Sequence, residues 1–561
     1  MQINGAELIV RLLERQGITT VAGIPGGANL PLYDALHGSP IRHVLARHEQ
    51  GAGFIAQGMA RATGQPAVCL GTSGPGATNL LTAIADAKLD SIPLVAITGQ
   101  VPRAMIGTDA FQEIDTYGLT LPITKHNWLV RSAEELLHVI PDAFRIAASG
   151  RPGPVVIDVP KDVQTERLDV DRLPEPGRPG PLPSPGEAAV ARAAAMIDAA
   201  ERPALLIGAG IIGAGASTML RRLAERASIP VASTLLGLGA MPHDHPLHLG
   251  MVGMHAARCT NLVLEECDLL IGLGIRFDDR ATGKAAEFCP RARIIHVDLD
   301  PSELGKIKRP TLGVEADVGA FLRALLPRVT ERPRPAWQAR MRHLRAAYPL
   351  DTLGGNDAFH PYAIIRDTAA LVPADTIVTS DVGQHQMWVA QAYPFDWPRQ
   401  WLTSGGLGTM GFGLPAAIGA ALACPGRTAL CFTGDGSLLM NIHELATAVE
   451  EAVNVKLILL NNGHLGMVRQ QQELFYGDRR HASQFRVEPD FVTIARGFGV
   501  TAVDLGSASD ARSALAGALA TPGPVLVNVP IDREANVYPM VPPGAANRDM
   551  IGGATRDRSA A

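Results

Sequence analysis

The chain has 561 residues, too many for one hydrophobic core, and should divide into roughly three or four domains. Apolar residues make up 47%, charged residues 19%, and the net charge is -5. That is the balance of an ordinary soluble globular protein, without the basic surface that nucleic acid requires and without an apolar run long enough to cross a membrane.

Residues 1–17, "MQINGAELIVRLLERQG", read directly as a helix, with no basic-then-apolar leader. Next, "AVCL" leads through "GTSGPG" into a helix near Thr78–Asp90 and then "LVAIT". Residues 172–186 carry six prolines, which favour extended backbone. Beyond them "ALLIG" leads to "AGIIGAGAS", and "LLIGLG" and "IIHVDLD" follow as strands. A shorter proline-rich stretch, "PRVTERPRP", closes this piece. In the last piece "ALCFT" runs into "GDGS", a helix near His443–Ala452 and then "KLILL".

Strand–helix–strand repetition implies parallel, doubly wound α/β sheets. The expected division is a domain over 1–165, a linker over 166–187, a domain over 188–327, a linker over 328–356, a domain over 357–535 and a tail over 536–561. The first and last domains read as variants of one architecture. Six cysteines without a C-x-x-C pair argue against a zinc site or a disulfide framework and for a reducing compartment, the cytoplasm.

The chemistry concentrates where apolar strands end. In the last domain one strand closes on Gly434-Asp435-Gly436-Ser437, and the next closes on Asn461-Asn462. A right-handed crossover makes those strands parallel, so both endings lie on one edge of the sheet, where ligands bind. A carboxylate and an amide oxygen, with no sulfur, select Mg²⁺ or Ca²⁺, of which Mg²⁺ prefers to share its shell with phosphate oxygens and water. Gly434 and Gly436 let the backbone approach phosphates closely, and Ser437 can donate to them. A lone GDG is weak; GDG on one strand and NN on the next is strong.

This spacing matches the signature of thiamine diphosphate enzymes, and the chain around it resembles acetohydroxyacid synthase large subunits over nearly its full length. The blocks that carry the resemblance are "GIPGG", "RHEQGAGFIAQGMARATG", "GTSGPGATN", "DAFQE", "RFDDRATGK", "DVGQHQMW", "GLGTMGFGLPAA" and "YPMVPPGAAN", in the family's order. The resemblance implies three doubly wound domains, with two thiamine diphosphate-binding domains flanking a central FAD-associated one. It implies thiamine diphosphate, Mg²⁺ and a structural FAD as cofactors.

By the same resemblance Glu49 is the catalytic glutamate that bonds the cofactor's pyrimidine nitrogen, reached across a dimer interface. Asp435, Asn462 and His464 hold the metal. Gly26, Gly383, Gln384, His385, Met410 and Met467 join Gly434, Gly436 and Ser437 around thiamine diphosphate, with Met410 supporting its bent conformation. Gly274, Arg276, Asp298 and His255 touch FAD. The family more often has glycine after that histidine, where this chain has Ala256. Phe111, Gln112 and Lys161 line the approach, and Arg280 takes the carboxylate of the second 2-keto acid through its planar fork.

One departure is Gln471 in "GMVRQQQ", where many relatives carry tryptophan and prefer 2-ketobutyrate. A flexible amide there implies near parity between pyruvate and 2-ketobutyrate as acceptors. The implied function is thiamine diphosphate-dependent decarboxylation of pyruvate and carboligation to a second 2-keto acid, in branched-chain amino-acid biosynthesis. The alternative is an FAD- and thiamine diphosphate-dependent pyruvate oxidase or another carboligase. Implied partners are the 2-keto acids, a second copy of the chain and a small regulatory subunit, with no nucleic acid and no membrane.

Overall fold

A computed structural model describes residues 2–350 and 357–553. Three six-stranded sheets organise the chain, and every strand pair within them is parallel. Counted in chain order within each sheet, the strands of the first and the third run 2-1-3-4-6-5 across the sheet, so the expected kinship of these two domains is one of topology. The middle sheet runs 3-2-1-4-5-6, the dinucleotide-binding order, whose switch point lies between the neighbouring strands Pro203–Ile207 and Leu269–Leu273.

The strands read as continuous apolar runs because helices cover both faces. Ala429–Gly434 and Val455–Asn461 are buried almost throughout and pair in register, with Gly434 opposite Leu460. Residues 1–17 hold a short strand, Gln2–Asn4, before the helix Gly5–Arg15. Asn4 and Glu7 form a reciprocal capping box at that helix's start.

Two stretches depart from the expected division. Arg167–Asp169 pairs antiparallel with Gln2–Asn4, which ties the start of the 166–187 linker to the first domain. The linker over 328–356 contains the helix Pro335–Ala347. Its Trp337, Met341 and Leu344, spaced four and three apart, bury one face in the central core, and the Trp337 indole N–H donates to the Pro203 carbonyl at 2.9 Å. The end of that linker (351–356) and of the tail (554–561) lie outside the described residues.

The first and third domains of one chain meet through helices Glu49–Thr63 and Gly413–Ala423. Glycines make the approach possible: a Cβ on Gly58 would lie 2.1 Å from the Ala416 carbonyl oxygen, and one on Gly419 would lie 1.9 Å from that of Ile55. The described tail folds back over the central domain, with the Val541 N–H donating to the Met254 carbonyl at 2.8 Å.

Candidate active site

The two expected loops lie side by side at the carboxyl edge of the third sheet. Asp435 is buried, and its carboxylate accepts from the Gly436 N–H at 2.8 Å and the Gly463 N–H at 2.6 Å. One carboxylate thus bridges both strand ends. The Asn462 amide oxygen accepts from the His464 N–H at 3.1 Å, and its Nδ2 donates to Gln384 Oε1 at 3.2 Å. Asn461 serves this cluster only at its margin: its Nδ2 donates sideways to Asn528, and its Oδ1 accepts a long bond of 3.4 Å from the Gly463 N–H. The His464 Nδ1 sits 2.8 Å from the Asn462 carbonyl. Ser437 spends its hydroxyl on the Val382 carbonyl at 2.6 Å, which leaves a phosphate role to its main chain.

Burial pushes the Asp435 carboxyl up to about 6. A divalent cation would reverse that shift, so the donor set fits a hard metal. His385 is also buried, and burial pushes its imidazole down to about 3, which keeps it neutral. Its Nε2 has no partner among the described residues, which suits a ligand's oxygen. Glycine is required beside these groups because neighbours press close: a Cβ on Gly434 would lie 2.8 Å from His385 Nδ1, and one on Gly436 would lie 2.6 Å from Leu465. These features fit a metal-bound diphosphate.

A cavity of ≈ 1250 Å³ joins this cluster to the switch point of the central sheet. Gly383, Gln384, His385, Met410, Met467 and Gln471 line its third-domain side. Gly274, Arg276, Asp298, His255 and Arg280 line its central side. The loops after the two switch-point strands touch: a Cβ on Gly210 would lie 2.6 Å from Gly274 Cα, and Gly274 holds φ +59. His255 is buried with Nδ1 unpartnered among the described residues, and burial pushes its imidazole down to about 4. A glycine-walled crevice with an orphan ring nitrogen, in a cavity of this size, fits a dinucleotide beside a diphosphate. Ala256 turns its methyl into a small cluster with Val541 and Met550 of the tail. Asp278 caps the short helix Asp279–Thr282, while the Arg280 side chain is 68% exposed and is held only loosely, its Nε 3.9 Å from Asp279 Oδ2 and an Nη 3.9 Å from Met254 Sδ.

The remaining residues gather at the carboxyl edge of the first sheet. Glu49 opens its helix, is buried, and accepts from Asn79 Nδ2 at 2.9 Å. A Cβ on Gly76 would lie 3.4 Å from Glu49 Oε1 and 2.7 Å from Thr72, while one on Gly26 would lie 2.6 Å from the same threonine. Gln112, at φ +60, packs against Gly74. Phe111 is 87% exposed, and Lys161 follows the strand Val155–Pro160. Gly26, Glu49, Phe111, Gln112 and Lys161 do not line the chain's own cavity. Asn79 was not foreseen from the sequence, although it lies within "GTSGPGATN".

Three parallel sheets in these two orders, with a metal-type cluster on the third and a buried glutamate on the first, define a thiamine diphosphate-binding enzyme. Family models agree. The thiamine pyrophosphate enzyme N-terminal TPP binding domain matches residues 3–119, the central domain 190–325 and the C-terminal TPP binding domain 381–529. Among relatives, the acetolactate synthase isozyme 1 large subunit of Escherichia coli (strain K12) is 58% identical over 98% of both chains. The acetolactate synthase large subunit of Parasynechococcus marenigrum (strain WH8102) is 48% identical over 98% of this chain and 91% of its own. Acetolactate synthase 1, chloroplastic, of Zea mays is 44% identical over 98% and 88%. The chain belongs to the acetolactate synthase large-subunit family of thiamine pyrophosphate enzymes.

Proposed function

We propose that the chain is an acetolactate synthase that decarboxylates pyruvate and joins the two-carbon unit to pyruvate or 2-ketobutyrate, in branched-chain amino-acid biosynthesis. The observation that carries this reading is the pairing of Asp435 with Asn462 on neighbouring strand ends, in a cavity shared with the central glycine loops. Asp435, Asn462 and His464 would hold Mg²⁺, and Gly383, Gln384, His385, Gly434, Gly436, Ser437 and Met467 would surround the diphosphate. Gly274, Arg276, Asp298 and His255 would hold FAD as a structural group. Bound thiamine diphosphate supplies the nucleophilic carbon and the electron sink for decarboxylation.

The chain's own residues then have distinct tasks. Glu49, oriented by Asn79, holds and returns a proton at the pyrimidine ring. Arg280 binds the carboxylate of the acceptor acid through its fork. Phe111, Gln112 and Lys161 border the approach, and Gly26 places main chain against the ring. Product analysis with pyruvate, with and without 2-ketobutyrate, tests the reading. Acetolactate and acetohydroxybutyrate are expected, and rapid stoichiometric bleaching of flavin by pyruvate without acetolactate would support an oxidase instead.

The working site needs two copies. The helix Glu49–Thr63 has Ala60 and Arg61 lining the chain's own cavity, while Glu49 stands at the other end, roughly 17 Å away along the helix. A second copy would bring its first-domain edge to this third-domain edge and would cover Phe111 and Val487, which is 83% exposed. The name "large subunit" among the relatives supports a smaller regulatory partner. Free thiols, five of the six buried, support a reducing compartment, the cytoplasm. Among the described residues, no helix is long and apolar enough to cross a membrane.

Gln471 lines the cavity, where it would form part of the wall that meets the acceptor. Gln471→Trp is expected to favour 2-ketobutyrate over pyruvate by roughly tenfold more than the parent does, the value of about one methylene of discrimination. Product ratios in a competition assay measure it, and an unchanged ratio would remove Gln471 from the specificity wall.

A further inference from the structure

Behind Met410 lies a buried cluster that the reaction does not use directly. The loop over 404–411 contains four glycines and few side chains that could fix it by packing. Gly408 and Gly411 hold φ +72 and +88. The loop's last residue, Gly411, is held within the third domain, its N–H donating to Asp381 at 2.7 Å and its carbonyl accepting from Asn441 Nδ2 at 2.8 Å; the rest of the loop is held by two carboxylates on the first domain's helix Pro75–Asp90. Asp90 accepts from the Gly405 N–H at 3.0 Å and the Gly406 N–H at 2.7 Å. Asp86 accepts from the hydroxyl of Ser404 and, at 3.1 Å, from that of Thr409. The Ser404 hydroxyl in turn accepts from the Thr409 N–H at 2.8 Å.

Arg61 closes the cluster. It donates to Asp86 at 3.0 Å, to Asp90 at 2.8 Å, to Gln57 at 2.8 Å and to the Thr403 carbonyl at 3.0 Å, and it lies 4.9 Å over the Phe412 ring. Arg61, Asp86, Asp90 and Gln57 are all buried. A Cβ on Gly406 would lie 2.9 Å from Asp90 Oδ1, so the loop is pressed onto the carboxylate. At the loop's end Met410 lines the cavity, its methyl 3.6 Å from where a Cβ on Gly436 would stand.

We infer that Asp86, Asp90 and Arg61 are positioning residues for the cofactor: the first domain of a chain grips the 404–410 loop and so sets the height of Met410 beneath the thiamine diphosphate bound by that chain's own third domain. The inference rests on the reading of Met410 as the residue that supports the bent cofactor. A fully satisfied buried network of this kind fixes a unique geometry, whereas a loop of glycines alone has many. The first domain therefore serves two sites, giving Glu49 to one cofactor and the Met410 loop to the other.

The test uses the full-length holoenzyme and two near-isosteric variants, Asp86→Asn and Thr409→Val. Thiamine diphosphate affinity is titrated at saturating Mg²⁺, near-ultraviolet circular dichroism of the bound cofactor is recorded, and KM for pyruvate and kcat are separated. Thr409→Val removes one charge-assisted hydrogen bond and should weaken cofactor binding about threefold to tenfold. Asp86→Asn should weaken it about tenfold or more. Both should alter the dichroism of the bound cofactor and lower kcat, while KM for pyruvate and the melting temperature of Thr409→Val stay near the parent's.

Parent affinity and parent dichroism in both folded variants would overturn the inference, as would affinity losses that track melting temperature with an unchanged spectrum. If Asp86→Asn does not fold, Thr409→Val decides alone. A parent chain that binds no thiamine diphosphate would overturn the site itself, and this inference with it. A parent that binds the cofactor, with variants equal to the parent in both affinity and dichroism, would overturn this inference only.

Discussion

Asp435→Ala is expected to lower affinity for Mg²⁺, and with it for thiamine diphosphate, by at least about a hundredfold, since even outer-shell changes at metal sites cost 10–100-fold. Among the described residues, the carboxylate is the charged group that touches both strand ends of the cluster, through Gly436 and Gly463. Without it the Gly463 N–H keeps only a long bond of 3.4 Å to Asn461 Oδ1. That near-orphan donor should cost the folded chain about 1–3 kcal/mol. Removing the carboxylate also removes a group that burial drives toward its neutral form, which offsets part of the loss. The variant should therefore stay folded while failing to retain cofactor through gel filtration at millimolar Mg²⁺. Retention equal to the parent's would place the metal elsewhere.

Glu49→Gln separates binding from chemistry. The amide has the volume of the carboxylate, and its oxygen can still accept from Asn79. What disappears is the capacity to hold and return a proton at the pyrimidine ring. Positioned general acid–base groups contribute about 10²–10⁴-fold, so kcat should fall by that factor. The thiamine diphosphate dissociation constant should change only a few-fold, because the diphosphate is gripped by a different domain. Steady-state rates paired with cofactor titration measure the split. Near-normal turnover would refute the proton role, and lost binding would mean that Glu49 holds the cofactor instead of activating it.

These two residues also show what a linear sequence reveals. The Asp435–Asn462 pairing was legible because both halves are local: each is the ending of a short apolar strand, and the crossover rule places consecutive parallel endings on one edge. The shared order of the first and third sheets was visible as a common strand–loop–helix rhythm. Proline masked the helix Pro335–Ala347: the stretch before it is rich in proline, and the pattern of Trp337, Met341 and Leu344 emerges only beyond the last of them.

The Arg61–Asp86–Asp90 cluster left almost no trace. Its partners at 403–409 are more than 300 positions away, and no periodicity encodes such a contact. Its one local hint was two acids four apart in the apolar helix "NLLTAIADAKLD", a like-charge spacing that is mildly unfavourable on an isolated helix. Side-chain detail was likewise hidden. Ser437 as a possible phosphate donor followed from position, but its hydroxyl turns back to Val382, a choice made by packing.

A mixing experiment between the two variants tests most directly whether the site is shared between copies, with the metal cluster on one chain and Glu49 on the other. Glu49→Gln and Asp435→Ala chains, each nearly inactive alone, are dissociated together, reassociated and assayed for acetolactate. Each mixed dimer would hold one intact site, so random assortment should restore about a quarter of parent activity. Activity no greater than the sum of the two variants alone, in a preparation shown to contain mixed dimers, would contradict the account.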